Sequence, residues 1–177
     1  MTNEIIIAGF GGQGALLIGE MIAHAGMNEG KNVSWLPSYG PEMRGGTANC
    51  SVIISNEPVG SPIVTEADAA IVMNKPSLDK FESYLKPGGK LFINSSLIEK
   101  KASRTDITVY YIPANEIAAG LGNTRVANMV MLGAYIASSQ TVSKENIMEL
   151  ITEAFGAKKA HLVAVNEMAL DEGATHI

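Results

Sequence analysis

Cysteine is almost absent, with Cys50 the single example in 177 residues. An internal disulfide, a four-thiolate iron–sulfur centre and a cysteine-built zinc site are excluded as devices of this chain alone, and a reducing, cytoplasmic setting is expected. A basic excess is also missing. Thirteen Lys plus Arg stand against eighteen Asp plus Glu, a formal charge of -5, so no nucleic-acid partner is expected. Long apolar runs are lacking too. The longest uncharged stretch, Val126 to Ser143, has about a dozen mostly apolar residues before Ser138, short of the ~20 that a membrane helix needs. It reads as a buried helix, and no membrane partner is expected. The start carries Glu4 where a leader peptide carries positive charge, and reads as a strand.

What is present is apolar residue, 46% of the chain, and glycine, 18 residues. At this length one domain is expected over 1–177, with about 70% of the unfolded surface buried on folding. Residues 4–10 are a continuous apolar run ending in glycines, as for a strand buried on both faces. From Ala15 to about Met27, Leu16, Leu17, Met21, Ile22 and Ala25 recur at helical spacing, and Gly30 follows as a stop. A second strand at 32–36 is expected to end at Pro37. From Thr47 to Ile54 the chain alternates: Thr47, Asn49, Ser51 and Ile53 share one face, and Ala48, Cys50, Val52 and Ile54 the other. Strands are further predicted at 67–74, 90–94 and 107–112. Helices are predicted at 77–85, closed by Pro87-Gly88-Gly89, and at 114–119, 124–138, 146–155 and 160–169. This alternation predicts a three-layer α/β/α fold with a mostly parallel sheet.

Gly9-Phe10-Gly11-Gly12-Gln13-Gly14 matches G-x-G-x-x-G between the first strand and the first helix. Glycines let the backbone approach a ligand closely, and the helix N-terminus attracts an anion. Three readings stay open here: a turn needed only for packing, an anion or nucleotide-like ligand, and NAD. The NAD reading wants an acid at the end of the second strand, where Ser34, Trp35 and Leu36 stand instead. In the next loop Arg44 is followed by Gly45 and Gly46, which leave its guanidinium unobstructed, and Tyr39 is able to stack on a planar group. Arg44 pairs with Glu42 or another subunit's acid, or lines a ligand site. Cys50 and His24 read as structural residues, and His161 and His176 give no metal spacing. Asn123 or Thr124 is expected to cap the buried helix. Arg125 then falls in its first turn, against the dipole, and points to an acidic partner. Asn128, inside an apolar helix, must find hydrogen bonds from an adjacent loop or a neighbouring subunit.

The stretch Pro37-Ser38-Tyr39-Gly40-Pro41-Glu42-Met43-Arg44-Gly45-Gly46-Thr47-Ala48-Asn49-Cys50, with the opening Gly-Phe-Gly-Gly-Gln-Gly and Asn128-Met129-Val130-Met131-Leu132-Gly133, resembles the gamma subunit of the 2-oxoacid:ferredoxin oxidoreductases. The wording of the loop is most similar to the 2-oxoglutarate and branched-chain branch. The resemblance implies a subunit of an enzyme that converts a 2-oxoacid, CoA and oxidised ferredoxin into acyl-CoA, CO2 and reduced ferredoxin. It further implies thiamine diphosphate and Mg²⁺ on partner alpha and beta chains, and iron–sulfur clusters on beta and a ferredoxin-like delta chain. This chain would itself hold no cofactor and would face the CoA side. Carried onto this sequence, the ligand-facing residues are Gly9, Gly11, Gly12, Gln13, Gly14, Ser38, Tyr39, Arg44, Gly45, Gly46 and Thr47. A free-standing nucleotide-binding enzyme such as an NAD-dependent dehydrogenase is the alternative.

Overall fold

The computed structural model describes residues 1–38 and 47–177. Among them one sheet has the order β2-β3-β1-β4-β5-β6, where β1 is Thr2–Phe10, β2 Asn32–Ser38, β3 Thr47–Ser55, β4 Ala67–Val72, β5 Leu85–Asn94 and β6 Thr108–Ile112. β1, β4, β5 and β6 run parallel, while β3 is antiparallel to both β1 and β2. The expected mostly parallel α/β sheet is therefore found, with β3 as its one reversed strand. The reversal follows from chain length. Residues 39–46 are too few for a parallel crossover, which takes a dozen or more, so the chain returns antiparallel beside β2 as β3.

The helices are α1 (Ala15–Asn28), α2 (Lys75–Phe81), α3 (Ala114–Gly120), α4 (Ala127–Ser139), α5 (Lys144–Phe155) and α6 (Ala160–Ala174). They divide unequally between the two sheet faces. Ile5 and Ile7 of β1, Cys50, Val52 and Ile54 of β3, and Phe92 of β5 point into a core shared with α1, α3, α4, α5 and α6. Ile6 and Ala8 point the other way, into a smaller core with Leu78 and Phe81 of α2. The period-two alternation read in Thr47 to Ile54 is seen directly: Ala48, Cys50, Val52 and Ile54 are buried and Thr47, Asn49 and Ser51 are half-buried.

Several boundaries differ from the sequence reading, α6 by running on to Ala174 and α4 by starting at Ala127, and three others have a clear physical cause. β2 continues through Pro37 to Ser38, opposite Asn49, which an edge strand tolerates because one of its sides needs no ladder donors. Pro87-Gly88-Gly89 lies inside β5 as a local excursion: pairing with β4 jumps from Ala67–Leu85 to Ala69–Lys90, and Gly88 takes φ 80. The predicted helix 77–85 starts earlier, at Lys75. Asn74 caps it by accepting from the Ser77 N–H at 3.0 Å, and a 3₁₀ turn over Glu82–Tyr84 ends it.

Two contacts hold the helical layer. The α4 and α6 backbones cross at two glycines: a Cβ on Gly133 would run into the Leu170 backbone, and one on Gly173 into that of Val130. At the far end of α1, Glu29 Oε1 accepts from the Ser143 N–H at 2.7 Å and from Asn146 Nδ2 at 2.9 Å, while Oε2 takes Lys31 Nζ at 2.7 Å. Lys31 also donates to the Thr141 carbonyl at 2.6 Å. This clasp ties α1 to the start of α5. Burial by itself would raise the Glu29 carboxyl, but Lys31, the Ser143 N–H and Asn146 outweigh it and bring the pKa down to about 2.

Two predictions follow from these contacts. Gly133→Ala and Gly173→Ala each force a methyl into a neighbouring backbone and should cost about 3 kcal/mol or more in urea unfolding. Gly120→Ala, with no heavy atom near the new Cβ, should change stability by less than about 1 kcal/mol, in the stabilising direction. Because Glu29 is depressed in the folded state from 4.5 to about 2, its stabilisation is complete above pH 4.5 and is lost as pH falls through that window. Acid titration of stability should show a component on the order of 3 kcal/mol that Glu29→Gln lacks.

Candidate functional site

The glycine loop joins β1 to α1, and its glycines have separable causes. A Cβ on Gly9 would lie 2.7 Å from Gln13 Oε1 and 2.8 Å from Met73 Cβ, so β1 and the end of β4 approach each other only through glycine here. Gly12 and Gly14 take φ 88 and 78, the left-handed region that other residues resist. Gly12 is open, with nothing within 4 Å of a Cβ, whereas a Cβ on Gly14 would run into the Asn128 side chain.

Gln13 holds the loop shut. Its Oε1 accepts from the Phe10 N–H at 2.6 Å, its Nε2 donates to the Met73 carbonyl at 3.2 Å, and its own N–H donates to the Phe10 carbonyl at 3.2 Å. Both ends of the amide are thus engaged by protein. Above this floor lies a depression of about 250 Å³ lined by Phe10, Gly11, Gly12, Gly14, the first turn of α1 and Ala48. α1 opens on Gly14 with no side-chain cap and no acid in its first turn. The first turn of α1 lines the depression, and among the described residues no side chain caps its leading N–H groups, the arrangement that favours an anion.

The sheet brings two more of the expected residues to this end. Thr47 pairs with Phe10, and Ser38 pairs with Asn49, two residues beyond Thr47. Gly11, Gly12 and Gly14 thus line the depression, Gly9 and Gln13 form its support, and Ser38 and Thr47 stand at the same end of the sheet. Tyr39, Arg44, Gly45 and Gly46 lie outside the described residues.

β2 ends in Ser38 with no carboxylate over Asn32–Ser38, so the ribose anchor of the dinucleotide reading is missing. Cys50 is fully buried. Burial pushes its thiol up to about 12, with the Trp35 side chain pulling slightly the other way, and such a thiol is inert as a nucleophile. Asn123 caps a 3₁₀ turn (Thr124–Val126), accepting from the Arg125 N–H at 3.0 Å, while α4 itself opens after Val126 with no side-chain cap, so Arg125 lies just before α4 and not in its first turn. Asn128 packs against Gly14 of the adjacent loop but makes no hydrogen bond to it; among the described residues its side chain accepts one, from the Met129 N–H of its own helix at 3.0 Å. What the sequence did not announce is that the residue it packs against is Gly14. The only signal was the pairing of a polar residue in an apolar helix with a glycine at a helix start. No cluster of three or more metal-ligating side chains occurs among the described residues, and no helix among them is long and apolar enough to cross a membrane.

The separable glycine roles give a prediction. Gly12→Ala should meet only the left-handed backbone cost, about 1 to 2 kcal/mol. Gly14→Ala should cost clearly more because Asn128 must also move, and Asn128→Ala in the Gly14→Ala background should recover that excess, read as a coupling in a denaturation cycle. Equal costs for the two alanines would show that the Asn128 contact is slack.

Known proteins match this architecture end to end. The family model for pyruvate ferredoxin/flavodoxin oxidoreductase matches residues 4–176. The chain is 41% identical over 172 residues to ketoisovalerate oxidoreductase subunit VorA of Methanothermobacter thermautotrophicus, covering 97% of this chain and 35% of that protein. It thus spans about a third of the length of that relative. It is 34% identical to 2-oxoglutarate synthase subunit KorC of Methanocaldococcus jannaschii, with 94% and 92% of the two chains covered. The crystal structure of the keto/oxoacid ferredoxin oxidoreductase gamma subunit from Geobacter sulfurreducens superposes with a TM-score of 0.83 at 31% identity, over 98% of this chain and 97% of that one. 2-Oxoglutarate:ferredoxin oxidoreductase from Magnetococcus marinus, solved with 2-oxoglutarate, coenzyme A and succinyl-CoA bound, gives a TM-score of 0.90 at 26% identity, with 99% of this chain matching 31% of that one. By sequence along nearly its whole length and by fold against a gamma subunit of the same size, the chain belongs to the pyruvate ferredoxin/flavodoxin oxidoreductase family.

Proposed function

We propose that this chain is the gamma subunit of a thiamine-diphosphate-dependent 2-oxoacid:ferredoxin oxidoreductase and serves the CoA side of its reaction. The observation that carries the reading is the end-to-end match to a gamma subunit combined with a neutral, glycine-framed depression at the start of α1. In the assembled enzyme a 2-oxoacid loses CO2, two electrons pass to ferredoxin, and the acyl group is taken by the CoA thiol. Thiamine diphosphate and Mg²⁺ belong to partner alpha and beta chains in this reading, and iron–sulfur clusters to beta and a ferredoxin-like delta chain. The substrate class is 2-oxoacid. Relatives named for ketoisovalerate, 2-oxoglutarate and pyruvate share the fold of the chain, and of these we favour 2-oxoglutarate.

The residues of this chain fit the anionic part of CoA. Backbone N–H groups of Gly11, Gly12 and the first turn of α1 offer donors to phosphate oxygens, no acid among the described residues lines the depression, and Ser38 and Thr47 stand at the same end of the sheet. Arg44, between Ser38 and Thr47 in sequence, is proposed to add a bidentate contact, and Tyr39 a stacking surface. A free-standing NAD-dependent dehydrogenase is disfavoured by the absent carboxylate at the end of β2 and by the family itself.

The test has two arms. The purified chain should reduce no dye with 2-oxoglutarate, thiamine diphosphate and CoA, and activity should appear when the partner chains are added. In the intact complex, verified by size-exclusion chromatography, Arg44→Ala should lower kcat/KM for CoA about ten- to a hundred-fold, the size of a lost charge-assisted hydrogen bond. An intact complex with unchanged CoA kinetics removes Arg44 from the ligand, and a complex that comes apart moves it to the interface. Parallel assays with 2-oxoglutarate, 3-methyl-2-oxobutanoate and pyruvate decide among the substrates, and a preference for either of the last two would overturn our choice.

A further inference from the structure

A polar cavity of about 260 Å³ opens at the amino ends of β1, β4 and β5, at the opposite end of the sheet from the glycine depression. Its floor is Ile5 and Ala69, and α4 meets it with Tyr135 and Ser139. β5 leaves the ladder to form the far wall. Between the pairs Ala67–Leu85 and Ala69–Lys90 the chain advances two residues on β4 and five on β5, and Pro87, Gly88 and Gly89 of the extra length line the space. Irregularities of this kind in a ladder are over-represented next to active sites.

Charges of both signs border this cavity. Lys86 Nζ is shared between Glu4 Oε2 at 2.8 Å and Asp68 Oδ1 at 3.1 Å, and Asp68 Oδ2 accepts from the Glu4 N–H at 2.8 Å. Lys90 has no carboxylate partner among the described residues. It donates to the Ser138 carbonyl at 2.7 Å, at the end of α4, and an ammonium keeps further N–H groups to give. Asn3 carries the unmet need. It lines the cavity, and its Nδ2 is buried with no acceptor among the described residues. A buried amide donor in that condition is costly unless a bound group accepts from it.

We propose that this cavity binds a neutral polyol of monosaccharide size, whose hydroxyls accept from Asn3 Nδ2 and Lys90 Nζ and donate to the Asp68 carboxylate. Charge selects the class. An anion would meet Asp68 and the carbonyl end of α4, and a cation would meet Lys86 and Lys90, whereas a hydroxyl both donates and accepts and meets no like charge. Span selects the size. Ile5 pairs with Ala69 and Ala69 with Lys90, so Lys90 stands two strand spacings, about 10 Å, from the strand that carries Asn3. A single carboxylate is too short to bridge the two, while a six-membered ring with hydroxyls around it, plus a hydrogen bond of about 2.8 Å on each side, is long enough. The site is separate from the glycine depression and does not rest on the reading of the chain as a gamma subunit.

D-Glucose is the probe, titrated calorimetrically into the full chain at pH 7, and saturable one-to-one binding is expected. D-Glucosamine and D-glucuronate keep the ring and add a positive or a negative charge. Each should bind at least about ten-fold more weakly, as should glycerol, which is too short to reach both walls. Asn3→Leu should weaken glucose about five- to ten-fold with a melting temperature no lower than wild type, because the amide nitrogen it removes has no partner in the free protein. Lys90→Met should weaken glucose by a similar factor. Absence of saturable glucose binding would overturn the proposal, and so would binding that Asn3→Leu leaves unchanged. A charged analogue that binds as tightly as glucose would make the cavity an ion site instead. A melting temperature lowered by Asn3→Leu would show that the amide is a structural group, and it too would reject the polyol role.

Discussion

The helical layer depends on α1 lying close against the sheet and against the start of α4. Glycine makes both approaches possible. Along the underside of α1, a Cβ at Gly26 would stand 2.7 Å from the Ile54 side chain, and one at Gly19 would meet Cys50 and Trp35. At its start, Gly14 leaves room for Asn128. Those three positions set the depth of α1, and α1 carries on its two ends the glycine depression and the Glu29 clasp. A chain with alanine at these points would have to lift the helix off the sheet, and with it the loop that lines the depression.

The same constraint explains why one motif gives two surfaces. α1 presents its N-terminus to the end of the sheet, where the depression lies, and its flank to an apolar groove lined by α4, α5 and α6, with Leu17 bordering both spaces. The first is polar backbone framed by glycine and suits charged oxygens. The second is mostly hydrocarbon. The opposite sheet face has α2 as its helical cover, over the smaller core. There the half-buried Thr47, Asn49 and Ser51 of β3 and the exposed Leu36 and Ser38 of β2 form a face without charge. A subunit of a larger assembly has reason to keep such a face, since charged residues are the ones depleted at the centres of interfaces.

Elements whose stability comes from local pattern were legible in the sequence, and contacts made by distant segments were not. The run Ile5-Ile6-Ile7-Ala8 and the alternation from Thr47 to Ile54 specify strands because each residue's burial is decided by its own position. Pro37 misled because a rule that holds for central strands does not bind an edge strand, and edge status is a property of the whole sheet. Pro87-Gly88-Gly89 reads as a stop, yet the ladder passes it by skipping register, which only the partner strand β4 reveals. For the site, the depression was visible in Gly11, Gly12 and Gly14. Gln13 was expected beside them, but its carboxamide faces Phe10 and Met73, a target set by how β4 aligns with β1. Glu29 carried no motif at all, since its partners Ser143 and Asn146 are more than a hundred residues away.

This division also says where selectivity is built. Backbone N–H groups recognise an anion by charge and geometry and read nothing of what the anion is attached to. Among the described residues the depression offers little else: alanine, leucine and glycine, with Phe10 as the one aromatic. Discrimination among 2-oxoacids therefore has to come from side chains beyond it. A depression that recognises only the common anionic group of a co-substrate would serve enzymes with different 2-oxoacid preferences equally well. Relatives named for ketoisovalerate, 2-oxoglutarate and pyruvate all match this chain, which is what the proposed shared site would allow.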